Sequence, residues 1–254
     1  MENLGRSSHF HYAGQTLEWF GMDTEKTYQH HMQHKYDLMR EYGWIDKKFT
    51  YQFNEHGFRS EEFTGGNSIV FLGASDTLCT GVPLEESWPY IVASKLNLKR
   101  YNLGLGGASG GTAFRMAKYW LDKLNPKLVV LMSPMNTRFE LADEVDGQRA
   151  YFQLGPSMYE KDSAYWDYFK NKHLKSDFFH FYKVWSVAED NLLLLQEKNE
   201  LAIECLANKI NAKFVLADSV KDCKDIAVDL GRDLLHAGTK TNQLMADIVL
   251  SRVG

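Results

Sequence analysis

The stretch Ser68-Ile-Val-Phe-Leu-Gly73-Ala-Ser75-Asp-Thr77 decides how this chain is read. Its bulky apolar residues, 69–73 with the closing glycine, have the composition of a short strand buried on both faces. Ser75 follows at once, so a hydroxyl stands where the chain leaves the sheet. A serine hydroxyl is a poor nucleophile at neutral pH. It needs an imidazole to take its proton and a carboxylate to hold that imidazole in one tautomer. Near the C-terminus Asp233 stands three residues before His236, so a single loop can supply both groups.

Outward from that stretch, residues 100–103, 128–132 and 213–217 repeat the short apolar run. Helical patterns alternate with them: Glu85 to Leu96 with Pro89 in its early turns, Thr112 to Leu124 stopping before Pro126, a long amphipathic segment from Ser186 to Ile210, and a closing helix from Thr239 to Val253. In the last of these the apolar side is read as Leu244, Ile248 and Val249. Strands alternating with helices predict a three-layer α/β/α sandwich around a central parallel sheet with right-handed crossovers. Ligands of such sheets sit at the carboxyl ends of the strands. Ser75, Gly107, Asn136 and the Asp233/His236 loop all follow strands or approach that edge.

Two regions exceed the minimal pattern. Residues 1–66, with a helix expected near 24–41, read as an N-terminal extension packed on the core, leaving 67–254 as the main domain. Within it, residues from about 139 to 185 read as an aromatic-rich insertion, dense in runs such as Tyr165-Trp166-Asp-Tyr168-Phe169 and Phe178-Phe179-His-Phe181-Tyr182. Two roles fit these rings equally: a wall or lid over the active edge, or packing within a subdomain or subunit contact.

Composition excludes several classes. With 254 residues, 44% of them hydrophobic, the chain can bury a full core without disulfides or structural metal. Three cysteines, an odd number without metal-ligand spacing, and a start lacking a signal-like segment point to a reducing, cytoplasmic setting. The net charge of -4 is interspersed, so no basic stripe awaits nucleic acid. Wholly apolar runs such as Leu192 to Leu195 are far too short for a membrane span. Nothing in the pattern sets an oligomeric state.

Other motifs fail on inspection. Gly104-Leu-Gly106-Gly-Ala-Ser109 has serine where a dinucleotide fingerprint needs its third glycine, and there is no Gly-Lys-Ser/Thr phosphate loop, so no cofactor is expected. Ser75 lacks the Gly-x-Ser-x-Gly elbow of α/β-hydrolases. His30, His31 and His34 share helical spacing but no accompanying carboxylate signature, and no functional metal is assigned. Cys79 lies near the serine with nothing beside it to activate a thiolate, and reads as a buried spectator.

The order of these blocks resembles the SGNH (GDSL-like) hydrolase family, over about residues 50 to 254 with the lead-in Asn54-Glu-His-Gly57-Phe58-Arg59. Gly73-Ala-Ser75-Asp-Thr77 with Gly81-Val82 is similar to the first block, and Asn102-Leu-Gly104-Leu-Gly-Gly107 to the second. Pro134-Met-Asn136-Thr137 falls at the third, and Asp233-Leu-Leu-His236-Ala-Gly238 fits the last. Ala74 stands where the family usually has aspartate, and Pro134 and Thr137 replace the third block's glycine and aspartate.

The resemblance implies the flavodoxin-like SGNH fold and a serine esterase: Ser75 as nucleophile, His236 as general base, Asp233 as its orienter. Acyl transfer builds negative charge on the former carbonyl oxygen, which needs donors fixed in advance. The N–H groups of Ser75 and Gly107 and the side-chain amide of Asn136 would form that oxyanion hole. Implied substrates are small acyl esters such as O-acetylated carbohydrate. The altered blocks also fit an alternative, a catalytically impaired module on the same scaffold that binds a glycan or a partner protein.

Overall fold

The computed structural model describes residues 4–145, 148–154, 184–185, 188–218, 221–222 and 226–254. In chain order they carry β1 (Thr16–Leu17), α1 (Glu25–His34), α2 (Tyr36–Glu41), β2 (Tyr51–Gln52), β3 (Ser68–Leu72), α3 (Ser75–Leu78), α4 (Trp88–Leu96) and β4 (Lys99–Asn102). There follow α5 (Gly110–Leu124), β5 (Leu128–Ser133), β6 (Phe139–Val145), β7 (Gln148–Leu154), α6 (Glu189–Lys209), β8 (Lys213–Asp218) and α7 (Thr239–Val253).

The four apolar runs form one parallel sheet in the order β4-β3-β5-β8, with Val70 of β3 opposite Tyr101 on one side and Val129 on the other. All five residues of β3 and all six of β5 are buried, which explains why both read as continuous apolar runs. Side chains still alternate between faces. Val70 and Leu72 join Met116, Leu121 and Ile203 beneath α5 and α6, whereas Ile69 and Phe71 join Trp88, Val92, Met245 and Val249 beneath α4 and α7. This is the three-layer sandwich. Each large side chain so buried contributes about 1.5–3 kcal/mol. From β3 the chain crosses to β4 on one side and then to β5 on the other, so the topological switch point lies between β3 and β5. Ser75 and Asn136 follow those two strands.

Helix ends depart from the expectations for local reasons. The helix expected near 24–41 breaks at Lys35, whose φ of -138° lies outside the helical region. The one expected from Glu85 is instead a short 3-10 turn, Leu84–Glu86, then extended Ser87, with α4 opening at Trp88 and Pro89 in its first turn, where no donor is missed. Ser109 and Thr112 form a capping box that starts α5 at Gly110. In α7 the inward face is Asn242, Met245, Ala246 and Val249: of the expected side Val249 is buried, Ile248 is half-buried and Leu244 is exposed, so the face is rotated in part.

The start of the aromatic-rich segment is an antiparallel hairpin of β6 and β7. The aromatic runs at 165–169 and 178–182 lie outside the described residues. Arg115 of α5 fastens this hairpin: its guanidinium donates to both Glu140 carboxylate oxygens (2.6 and 2.8 Å) and to the carbonyls of Leu4 (2.5 Å) and Arg6 (3.2 Å). Among the described residues, no helix is long and apolar enough to cross a membrane.

Candidate active site

The turn that carries Ser75 is held from behind. Gly73 leaves no room for a side chain, since a Cβ there would meet Thr77 Oγ1 at 2.0 Å and the Met132 carbonyl oxygen at 2.9 Å. Gly104 is similarly constrained, since a Cβ there would come 2.7 Å from the Leu78 nitrogen, so the second glycine segment packs directly on the turn. Ser75 opens α3 with no side-chain cap, and the helix ends at Cys79 in the left-handed region (φ 61°). Every carbonyl from Asp76 to Cys79 accepts a side-chain donor: Trp88 Nε1 to Asp76 (2.8 Å), Asn102 Nδ2 to Thr77 (2.7 Å), and the buried Arg59 guanidinium to Leu78 (3.2 Å) and to Cys79. Ser75 and Asp76 stay partly exposed while Thr77 to Thr80 are buried, so the hydroxyl is offered at the sheet edge.

The Asp233–His236 loop is closed by an isolated bridge between Leu230 and Ala237 and by the Gly231 N–H donating to the His236 carbonyl (2.8 Å). Asp233 Oδ1 accepts from the Leu235 and His236 N–H groups, both at 3.1 Å. Its Oδ2 lies 2.6 Å from His236 Nδ1. An ionised carboxylate only accepts, so Nδ1 carries the proton and Nε2 is the ring's acceptor. Burial pushes the Asp233 carboxyl up, but the hydrogen bond and charge of His236 outweigh it and leave the group below its ordinary range. Burial likewise depresses His236, yet the hydrogen bond and charge of Asp233, with the charge of Asp76, carry the imidazole above its ordinary value. Arg138 opposes them.

The two segments lie side by side. The Arg232 N–H donates to the Gly81 carbonyl (2.8 Å), and a Cβ on Gly81 would come within 3.0 Å of Asp233 Oδ1. Asn242 stitches them further, its Oδ1 accepting from the Trp88 N–H (3.0 Å) and its Nδ2 donating to the Ala237 carbonyl (3.0 Å). Among the described residues no hydrogen bond joins Ser75 Oγ to His236. Gly107 turns with φ 70°, and a Cβ there would lie 3.6 Å from Gln153 of β7. Asn136 sits in the turn after β5 and lines a small cleft with Gly110, Ser133, Arg138, Gln196 and Glu200. Ser75, Gly107 and Asn136 therefore share the carboxyl edge of the sheet, and no described hydrogen bond links them.

Other sequence candidates resolve differently. His31 is buried and turns inward, its Nε2 3.0 Å from the Asp233 carbonyl oxygen, whereas His30 and His34 stay exposed with rings 4.5 Å apart. No group of three metal-ligating side chains gathers among the described residues. Burial pushes the Cys79 thiol up to about 12, which removes it as a nucleophile. Sequence reasoning missed the parts played by His31, Asp76 and Arg232; only the adjacency of Asp76 to Ser75 and of Arg232 to Asp233 was a signal.

A parallel α/β/α sandwich with a serine turn beside an Asp–His loop defines the class of site. No protein-family model and no curated protein matches the chain. Among solved structures it is similar to the psychrotrophic esterase EstA from Pseudoalteromonas sp., at 13% identity and TM-score 0.37 over 74% of this chain and 97% of that one. It is also similar to a putative lipolytic protein of the G-D-S-L family from Desulfitobacterium hafniense (14%, TM-score 0.37, 74% and 100% covered). A third is an acetylxylan esterase from Geobacillus stearothermophilus (14%, TM-score 0.34, 75% and 95% covered).

Proposed function

We propose that the protein is a serine hydrolase of acyl esters, with Ser75 as nucleophile, His236 as general base and Asp233 as its orienter. The observation that carries this reading is the buried Asp233 carboxylate 2.6 Å from His236 Nδ1, packed beside the turn that offers Ser75. In the reaction Ser75 Oγ attacks the ester carbonyl while His236 Nε2 takes its proton. The oxyanion is met by the N–H groups of Ser75 and Gly107 and the amide of Asn136, each such donor contributing about 3 kcal/mol. Collapse expels the alcohol, which receives the proton from His236; water then releases the acid by the same steps in reverse. The substrates we propose are small acyl esters such as O-acetylated carbohydrate, the class the sequence resemblance implies.

The test is hydrolysis of a p-nitrophenyl ester series by the wild type and by Ser75→Ala, with a loss of at least about 1000-fold expected. Indistinguishable rates remove the esterase reading. Because His236 must be neutral to act and its pKa is raised, kcat/KM is expected to fall as pH drops through a midpoint above 6.5. The alternative, a binding module on this scaffold, is favoured by Ala74, by Pro134 and Thr137, and by the missing Ser75–His236 hydrogen bond. It predicts no labelling of Ser75 by a fluorophosphonate, together with saturable binding of a glycan or a protein.

A further inference from the structure

Buried ionic groups that the acyl chemistry leaves unused meet at Asp23, 1% exposed. Its carboxylate accepts from Arg232 Nε (2.9 Å to Oδ1), Arg232 Nη2 (2.8 Å to Oδ2) and the Tyr51 hydroxyl (2.5 Å). Arg232, 2% exposed, immediately precedes Asp233, and its guanidinium lies 4.1 Å from the centre of the Trp19 ring and 4.0 Å from that of Phe49. The Tyr51 oxygen in turn accepts from the Gly81 N–H (2.9 Å), in the segment just past the serine helix. Asp23 thus reaches both halves of the candidate site without touching either reacting group.

A buried ion pair gains little stability over well-packed apolar residues, because desolvation offsets the attraction. What it adds is direction: a forked guanidinium on a carboxylate admits one orientation. We propose that Asp23 is a positioning residue, which holds the Asp233–His236 loop through Arg232 and the Gly81 turn through Tyr51, so that one carboxylate sets the spacing between base and nucleophile. This rests on the Ser75–His236–Asp233 reading, but its test has a readout that needs no turnover.

The full chain, labelled with nitrogen-15, is observed by NMR for the far-downfield Nδ1 proton expected of His236 bonded to Asp233. Asp23→Asn and Tyr51→Phe are compared with the wild type, with near-ultraviolet circular dichroism reporting the fold. The resonance is expected to shift upfield or broaden in both folded variants, and kcat on p-nitrophenyl acetate to fall on the order of 100-fold in Asp23→Asn with KM little changed. If Asp23→Asn does not fold, Tyr51→Phe alone decides. An unchanged resonance in the folded variants, or none in the wild type, overturns the proposal. A resonance that responds as expected in a protein without ester turnover sustains the positioning role and rejects the esterase reading instead.

Discussion

The sheet is held by apolar contact, whereas residues 16–52 add buried polar links to apolar contact of the same kind. Around β3 and β5 the contacts are hydrocarbon, from Val70, Leu72, Val129 and Leu131 on one face to Ile69, Phe71, Val130 and Met132 on the other. Between residues 16–52 and the loop at 230–237, apolar packing of Trp44, Leu234 and Ala237 is joined by buried polar links: Arg232 on Asp23, Trp44 Nε1 on the Leu230 carbonyl (2.8 Å) and His31 on the Asp233 carbonyl. Apolar contact is non-directional, whereas a buried ion pair fixes one orientation and leaves an uncompensated charge when either partner is lost. The scaffold therefore rests on non-directional contact, and the site's edge adds contacts that fix direction.

The largest effect that would break this contrast is expected at the ion pair. Arg232→Met strands the Asp23 carboxylate and is expected to cost about 3–5 kcal/mol in urea unfolding, while the double variant with Asp23→Leu regains most of that. A double variant as unstable as the single would mean that the pair supplies stability as well as geometry. Next, Leu121→Ala in the core beneath α5, where Leu121 is 1% exposed, is expected to cost about 3 kcal/mol with ester kinetics nearly preserved. A collapse of kcat in that folded variant would erase the distinction between scaffold and edge.

The smallest effect sharpens the contrast through pH. Burial, then the charge of neighbouring His11, lowers His9 to about 4 against 6.5 when unfolded. The folded ring stays neutral while the unfolded one takes a proton, so stability is full above 6.5 and declines as pH falls towards 4. At about pH 5 the decline amounts to about 2 kcal/mol. His9→Phe, whose ring would sit among those of Phe20 and Phe53, is expected to flatten this slope in urea titrations at several pH values.

What was legible in the chain follows the same division. Continuous apolar runs announced β3 and β5 because parallel strands are buried on both faces, and Asp233 with His236 stood out because their bond is made within one loop. The rotation of α7 was not legible: its inward face includes Asn242, chosen for its hydrogen bonds and not for hydrophobicity. Lys35 gave no local sign of breaking the first helix. Asp23 and Arg232 lie 209 residues apart, and nothing in local spacing couples such positions. His31 looked like one of three equivalent histidines until the tertiary fold chose it alone.

Leu234, between the proposed orienter Asp233 and the proposed base His236, has φ 49°, a conformation that costs a non-glycine residue roughly 1–2 kcal/mol. Its N–H is tied to the Gly231 carbonyl (2.8 Å) and its side chain is packed against the sheet cluster, so the surroundings hold it there. The loop behaves as a sprung latch: an imidazole seated this way resists swinging out to solvent, and loosening the packing under Leu234 would free the ring before it unfolded the sheet.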